Sequence, residues 1–458
     1  MNRWQQLFTR FFSAAPPVQL PRTSDSQPLL EDETKLSHLE TTDSVKYIDT
    51  IADLKVELVE VEQAFAISVE AGHQRLEKFR YLHTGQFPPD PYSTEYAKAQ
   101  MDLYYAFSNR THYDPKVNEH SPFDLNHAQQ VPFPYSTRDS ETVGRQLIAQ
   151  GHIIRAMALQ PGSSIIEFGP GWGNLTLQLA QMGYDVTGVE IEHNFIELIK
   201  HRAERLGVTI TLEQQDMAQF RSNRRYDVAL FYACFHHCTD HLQLLRNLHD
   251  IVTPDGFVMF ADEPISTFPQ PWGFVRTESS NLWVMWRYGW FELGFDINYF
   301  LRTLLFFGWL PYERVRDPLL TSPIIVAYKS KGLYKPHELM LPPDEEATWH
   351  TRDVTHRFTT AQSVMSCAKD VPVQAIEFCV SNPAPFDLMV TFTAGTYLQQ
   401  MCVPGYTEHM HLHVAVSDWQ GRVVIASSTW SPATTLGTAD QRMLGIAVHC
   451  FRLLDHIP

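Results

Sequence analysis

Three acids and three glycines carry the chemistry that can be read first. Glu167, Gly169, Gly171 and Gly173 fall in SIIEFGPGWGNLTLQLA, where an apolar run meets a glycine-rich turn. Glycines there let the backbone bend sharply and come close to a ligand, and the amides that open the next helix face it. A dinucleotide turn spaces its glycines G-x-G-x-x-G around a pyrophosphate. Here the spacing is G-x-G-x-G, with Asn174 in the third place. Glu167, two residues before the first glycine, would repel a pyrophosphate but attract an ammonium group. S-adenosylmethionine carries an α-ammonium and a sulfonium and no phosphate, so the acid favours it over NAD. Glu190 offers acceptors for both ribose hydroxyls. Asp216 offers one for the adenine amino group, with Met217 against the ring.

Transfer of a methyl group from a sulfonium is an in-line displacement, in which alignment supplies much of the acceleration. A hydroxyl acceptor also gains about 10²–10⁴-fold from a base. His236, His237, Asp262 and Glu263 stand where a fourth and a fifth strand should end. His237 is the favoured base, with Glu263 as its orienter or as an alternative base and His236 beside it. CFHHCTDH also suggests zinc on Cys234, His237, Cys238 and His241, but a structural site needs four convergent ligands and Cys234 belongs to a strand end. No metal is expected there. His409, His411 and His413 alternate on one strand face, and the rest of a metal motif is missing around them.

Strands and helices must position these groups. Strand signals at Ser164–Phe168, Asp185–Val189, Thr209–Glu213, Tyr226–Ala233 and Phe257–Ala261 alternate with helix signals at 174–182, Asn194–Leu206 and His241–Val252. Such alternation implies a parallel sheet covered on both faces. Ligands of these sheets bind beyond the strand C-termini, where all three acids fall. A helix at Ile297–Phe307 and strands at Tyr312–Val315 and Ile324–Tyr328 follow. Beyond about residue 335 only strands and turns are read: 371–380, Leu388–Thr393, His411–Val416, Val423–Ser427 and 445–453, an all-β sandwich.

Upstream, residues 1–45 read as a flexible tail, and 46–140 as a helical region with a segment that covers the site. Tyr47, Ile51, Leu54, Leu58, Val61 and Phe65 form a narrow apolar seam, which serves either a homodimer through the helix 47–69 or docking on the next domain. Phe87–Thr137 reads as ordered loop with short helix, and an amphipathic helix is expected over Glu141–Leu159.

Together, Glu167-x-Gly169-x-Gly171-x-Gly173, Glu190, Asp216, RYDVALFYACFHH and LLRNLHDIVTPDGFVMFADEP resemble class I S-adenosylmethionine-dependent methyltransferases over roughly residues 144–329. The resemblance implies a Rossmann-like seven-stranded sheet, its last strand antiparallel, in a domain of residues 141–335. Glu167 and Gly169 would hold the methionine end of the donor, Glu190 the ribose, and Asp216 with Met217 the adenine. The chain departs from the family's pattern in carrying glutamate where the first and second strands usually carry aspartate. YACF at 232–235 lacks the Asn/Asp-Pro-Pro-aromatic run of exocyclic-amine methyltransferases. Trp272, Arg276, Glu278, Trp283, Arg287 and Trp290, in the insertion after the fifth strand, suit sugar rings, and Phe133–Ser140 is placed to close over the donor. DQRMLGIAVHCFRLL and VSNPAPFDLMVTF resemble β-sandwich modules of bacterial polysaccharide-assembly proteins, which puts that domain at 336–458 and the acceptor hydroxyl on a saccharide. The alternatives are a small-metabolite or lipid-linked acceptor, or a glycan-binding scaffold with a vestigial fold.

Length and composition set the outer bounds. At 458 residues the chain needs two or three domains, and 44% hydrophobic with 19% charged residues is ordinary for a globular protein. A net charge of -16 argues against a nucleic-acid partner. Six irregularly spaced cysteines fit a reducing, cytoplasmic setting. No stretch reaches about 18 consecutive apolar residues. Residues 1–12 mix arginine with aromatics, and offer either a peripheral contact at the inner face of a membrane or a frayed terminus.

Overall fold

The computed structural model of the protein describes residues 45–275, 279–315, 324–329, 348–350, 356–367, 369 and 372–454. The tail of residues 1–44, with its expected membrane contact, and Arg276 and Glu278 lie outside the described residues. Among the described residues, no helix is long and apolar enough to cross a membrane. Residues 45–296 belong to one compact unit, and residues 297–314 and 325–454 to the other.

The first unit begins with helices α1 (Ile51–Ile67), α2 (Val69–Glu77), α3 (Thr94–Ser108) and α4 (Ser140–Met157). Side-chain oxygens of Thr50, Ser68, Ser93 and Asp139 cap them, each accepting a backbone N–H of the first turn. The apolar seam is present on α1, but Tyr47 is not part of it. Tyr47 lies exposed in a short strand, Lys46–Ile48, paired with Phe79–Tyr81. Leu54, Leu58, Val61 and Phe65 are buried within the chain's own fold, with Phe65 against the ring of Trp283 at 4.5 Å. These four seam residues therefore dock internally, while Val56, Val59 and Ile67 of the same helix stay exposed. Gly72, which interrupts the seam in sequence, lets α2 approach: a Cβ there would lie 2.1 Å from the Phe65 ring.

Five parallel strands follow, β1 (Ser164–Phe168), β2 (Asp185–Glu190), β3 (Thr211–Gln214), β4 (Tyr226–Tyr232) and β5 (Val252–Ala261). Between them run α5 (Asn174–Gln181) after β1, α6 (His193–Leu206) after β2 and α7 (His241–Ile251) before β5. The strand order is β5-β4-β1-β2-β3. The chain winds one way from β1 to β3 and then crosses to the other side of β1. The crevice opens at that reversal. Phe168, Phe231 and Phe260 stack across β1, β4 and β5 at 4.8 and 5.4 Å and form the floor of this core. A further helix, α8 (Ser279–Tyr288), buries Leu282, Trp283 and Met285, which assigns Trp283 to the core and not to a sugar site.

The second unit starts with α9 (Ile297–Phe306), β6 (Trp309–Val315) and β7 (Ile324–Lys329). Leu301 and Leu305 of α9 pack on Cys379 and Cys450, so this helix clusters with the β domain, ahead of the boundary expected at residue 335. Eight strands make two sheets. β8 (Arg357–Phe358), β10 (Ala375–Asn382), β13 (Thr407–Ala415) and β15 (Ala447–Leu454) run in the order β8-β15-β10-β13, and β9 (Gln362–Ser366), β11 (Leu388–Ala394), β12 (Tyr397–Val403) and β14 (Arg422–Ser427) in the order β9-β14-β11-β12. Alternate residues of both sheets enter one core, where Phe378 meets Phe392 at 4.9 Å. His411 Nδ1 lies 2.8 Å from Glu377 Oε1 and His413 Nε2 lies 3.6 Å from it, while Arg452 binds the other oxygen. The side chain of His409 is outside the described residues. Glu377 is thereby held down to about 2, chiefly by its bond to His411.

Candidate active site

A cavity open to solvent lies at the C-terminal ends of β1, β2 and β4, where such sheets take their ligands. The glycine-rich turn forms one side. Gly169, Gly171 and Gly173 all have positive φ, at 59°, 51° and 70°, which strains any residue with a side chain. Their reasons differ. A Cβ on Gly169 would come 2.8 Å from that of Cys234, where the turn passes the β4 end. Gly171 donates its N–H to Glu190 Oε2 at 3.0 Å. Gly173 does not line the cavity. It caps α5, and a Cβ there would lie 2.5 Å from Ile199 of α6. Its place among the ligand-binding residues is corrected: it permits close packing of two helices.

The three acids do converge on the cavity. Glu167 is buried and accepts the Thr176 hydroxyl at 2.6 Å. Burial lifts its carboxyl to about 7; the Thr176 bond opposes this and the Glu190 charge adds to it. Glu190 accepts three backbone N–H groups: Gly171 on Oε2, and Ile191 and Glu192 on Oε1 at 2.8 and 3.0 Å. Burial still raises its pKa against those bonds. A carboxylate has about four lone-pair directions. With three taken, Glu190 has one left, on Oε2, so the expected grip on both ribose hydroxyls reduces to one. Asp216 Oδ1 accepts from Ala218 N–H at 2.9 Å, leaving Oδ2 to the cavity beside Met217. Burial raises this acid too.

Of the expected bases, only His237 and Asp262 reach the cavity. Glu263 is buried behind it. Its Oε1 accepts the N–H groups of Cys234 and Phe235, and its Oε2 those of His236 and of the His236 ring, at 2.8–3.2 Å. Burial works against its charge, but His236 and these N–H groups hold its pKa below the ordinary value. Glu263 and His236 are thus corrected from base candidates to supports of the turn that presents His237. Burial likewise disfavours charge on His237, yet Glu292 and Glu119 outweigh it and lift the ring to about 9. Near neutral pH that ring holds a proton, so it is not a free base.

The sequence reading missed Glu119. Its segment shows no periodicity, and only the fold brings Glu119 Oε2 to 3.3 Å from His237 Nδ1. Phe291 N–H and the Tyr113 hydroxyl hold its other oxygen at 2.8 and 2.5 Å. Trp290, weighed for sugar binding, lines the cavity, and so does Phe133 from the segment expected to close over the donor; Asn174 Nδ2 donates to the Phe133 carbonyl at 2.8 Å. Trp272 is buried against Tyr96, away from the cavity. The Cys234 thiol points to the Phe168 carbonyl, at 2.8 Å. His241 is packed against Trp272 and Phe295, and burial lowers its pKa to about 3. CFHHCTDH therefore does not form a cysteine-histidine metal site.

Among curated proteins, the chain is similar to an uncharacterized methyltransferase of Oceanobacillus iheyensis, 33% identical over 106 residues, covering 22% of this chain and 48% of that protein. A ubiquinone biosynthesis O-methyltransferase of Actinobacillus pleuropneumoniae is 26% identical over 106 residues, covering 22% and 45%. The chain thus spans about half the length of these relatives. Among solved structures, a Burkholderia thailandensis 1,6-didemethyltoxoflavin-N1-methyltransferase with bound S-adenosylhomocysteine aligns at TM-score 0.30 and 17% identity, over 46% of this chain and 93% of that one. Residues 165–256, from β1 into β5 and so including the turn and all three acids, match the family described as the methyltransferase domain.

Proposed function

We propose that the protein transfers a methyl group from S-adenosylmethionine to an acceptor hydroxyl, on a saccharide in cell-surface polysaccharide biosynthesis. One observation carries this reading: three carboxylates, each with its pKa raised by burial, line one cavity together with the glycine-rich turn. Among the described residues lining the cavity there is no lysine or arginine. Buried carboxylates without a cation are costly, and an ammonium and a sulfonium relieve that cost where a pyrophosphate would add to it. Bound there, S-adenosylmethionine supplies an electrophilic methyl group.

The residues of the chain do the rest. Glu167 and the Gly169 turn hold the methionine end, Glu190 one ribose hydroxyl, and Asp216 with Met217 the adenine. His237, backed by Glu119, is the side chain placed to donate a hydrogen bond to the acceptor oxygen. His236 and Glu263 keep it there. Trp290 supplies an aromatic wall, and the β domain, which resembles polysaccharide-assembly modules, favours a saccharide. The fold that goes with this reading is a seven-stranded methyltransferase sheet followed by a β-sandwich, in a cytoplasmic protein.

A small-metabolite acceptor is the second reading. The apolar walls from Phe133 and Trp290 favour it, as does likeness to a ubiquinone biosynthesis enzyme. Incubation with methyl-labelled donor and either envelope glycan fractions or small phenols, followed by mass spectrometry, separates the two. Label on glycan supports the first, label on phenols the second, and tighter calorimetric binding of NAD than of S-adenosylmethionine rejects both.

A further inference from the structure

Beside the acceptor wall lies a cluster that holding the methyl donor does not require. His236 and His237 are neighbours on one turn, with ring centroids 4.3 Å apart. One nitrogen of each and one carboxylate oxygen of Glu292 lie within 4.8 Å of one another. His236 Nε2 is 3.6 Å from Glu292 Oε2, and His237 Nδ1 is 3.3 Å from Glu119 Oε2. We infer that His236, His237 and Glu292 form a binding site for a divalent first-row transition ion, next to the cavity wall that His237 lines. The ion's role rests on the proposed methyl transfer; its binding does not.

Geometry supports the site. An ion about 2.1 Å from each ligand keeps tetrahedral neighbours about 3.4 Å apart, close to the 3.6 Å between His236 Nε2 and Glu292 Oε2, and leaves a fourth position open. The outer contacts point the ligands inward. His236 Nδ1 is engaged by Glu263 Oε2 at 2.8 Å, which turns Nε2 towards Glu292, an arrangement typical of metal-bound histidine. Glu119 Oε1 is held by Phe291 and Tyr113, which turns Oε2 towards His237. His237 Nδ1 is shielded from solvent and has no aligned hydrogen-bond partner among the described residues, although buried ring nitrogens normally have one.

Two imidazoles with a carboxylate and no thiolate suit zinc, iron or manganese better than copper(I). The ion also has work to do. A hydroxyl coordinated to it on the cavity side gives its proton more readily to water at the cavity mouth. The O–H bond breaks, its electron pair stays on oxygen, and the ion's charge stabilises that oxygen.

The test uses the full chain, stripped with a chelator and titrated with MnCl₂ and, separately, ZnCl₂. Bound ion is read by elemental analysis and, for manganese, by electron paramagnetic resonance. One ion per chain is expected. Binding should weaken about 10–100-fold in His237→Gln and Glu292→Gln, and also in Glu263→Gln, which supports His236 without touching the ion. Should Glu292→Gln fail to fold, His237→Gln on the cavity wall carries the test. Stoichiometric binding of neither ion by the folded protein overturns the site, and so does binding that both ligand variants leave unchanged. S-adenosylmethionine binding without ion binding removes this inference alone. Ion binding without S-adenosylmethionine binding keeps the site and removes the methyl-transfer reading.

Discussion

Glu190 and Gly171, nineteen positions apart, are joined by a 3.0 Å hydrogen bond from the Gly171 N–H to Glu190 Oε2. The bond ties the end of β2 to the turn after β1. Because Ile191 and Glu192 N–H groups fill the other oxygen, the carboxylate is fixed before any ligand arrives. A hydroxyl presented to its free lone pair would meet an acceptor that need not reorganise.

Replacing Glu190 with glutamine should weaken S-adenosylmethionine binding about 10–100-fold, the worth of a hydrogen bond to a charged group. The amide also sets an NH₂ donor against backbone donors, so the melting temperature should fall. Titration calorimetry and a thermal melt on one preparation check both.

Glu167 makes the empty protein sensitive to pH. Its folded pKa of about 7 lies above the ordinary carboxyl value, so the folded state holds the proton more tightly than the unfolded state. The resulting stabilisation is complete below about pH 4.3 and is lost as pH rises to about 7, a loss of about 3 kcal/mol. Glu167→Gln should flatten the stability curve between pH 5 and 7. Affinity for the cationic ligand should rise over that interval in the wild type and stay level in the variant.

Gly173→Ala and Gly171→Ala should behave differently. Both put a side chain at positive φ, at about 1–2 kcal/mol. Only Gly173 also drives a Cβ to 2.5 Å from Ile199, whereas nothing lies within 4 Å at Gly171. The larger drop in denaturation midpoint belongs to Gly173→Ala. Equal drops would show that packing of α5 on α6 is not what Gly173 serves.

Asp216→Asn should turn an acceptor into a mixed donor and acceptor facing the adenine amino group. Binding of S-adenosylmethionine and S-adenosylhomocysteine should weaken together, by about 3–10-fold for one neutral hydrogen bond. A loss confined to one of the two would place Asp216 elsewhere than at the base.

The part of the chain from Ser164 to Ala261 was legible because apolar strands alternate there with helices of clear period, and most observed ends fall within about two residues of the expected ones. β5 is the exception. Thr253, Pro254, Asp255 and Gly256 fall between the expected helix and the expected strand, yet they belong to the strand, which pairs with β4 across a register irregularity. Helix α3 was hidden for another reason. Its inward face uses Tyr96, Gln100 and Tyr104, and tyrosine and glutamine do not mark an apolar stripe. Their polar ends are satisfied in the fold, Tyr96 by the Trp272 carbonyl and Tyr104 by that of Gly289. β12 was missed because Tyr397 and Leu398 are both exposed at its start, which breaks the alternation. The donor acids could be read because each ends a strand. Glu119 and Glu292 could not, since a long loop closure brings them to His237.

The cavity has two walls of different origin. Glu167, Glu190 and His237 sit on strand ends or on the turn clamped by Glu263, whereas Glu119, Phe133 and Trp290 arrive on segments that the sheet does not supply. A change at Glu119 or Trp290 would therefore reshape the acceptor side with little effect on the glycine-rich turn, whereas Phe133, which packs on Trp172, touches both. The molecule is in this sense a fixed press with an exchangeable die, and efforts to redirect it towards another acceptor should begin with Glu119 and Trp290.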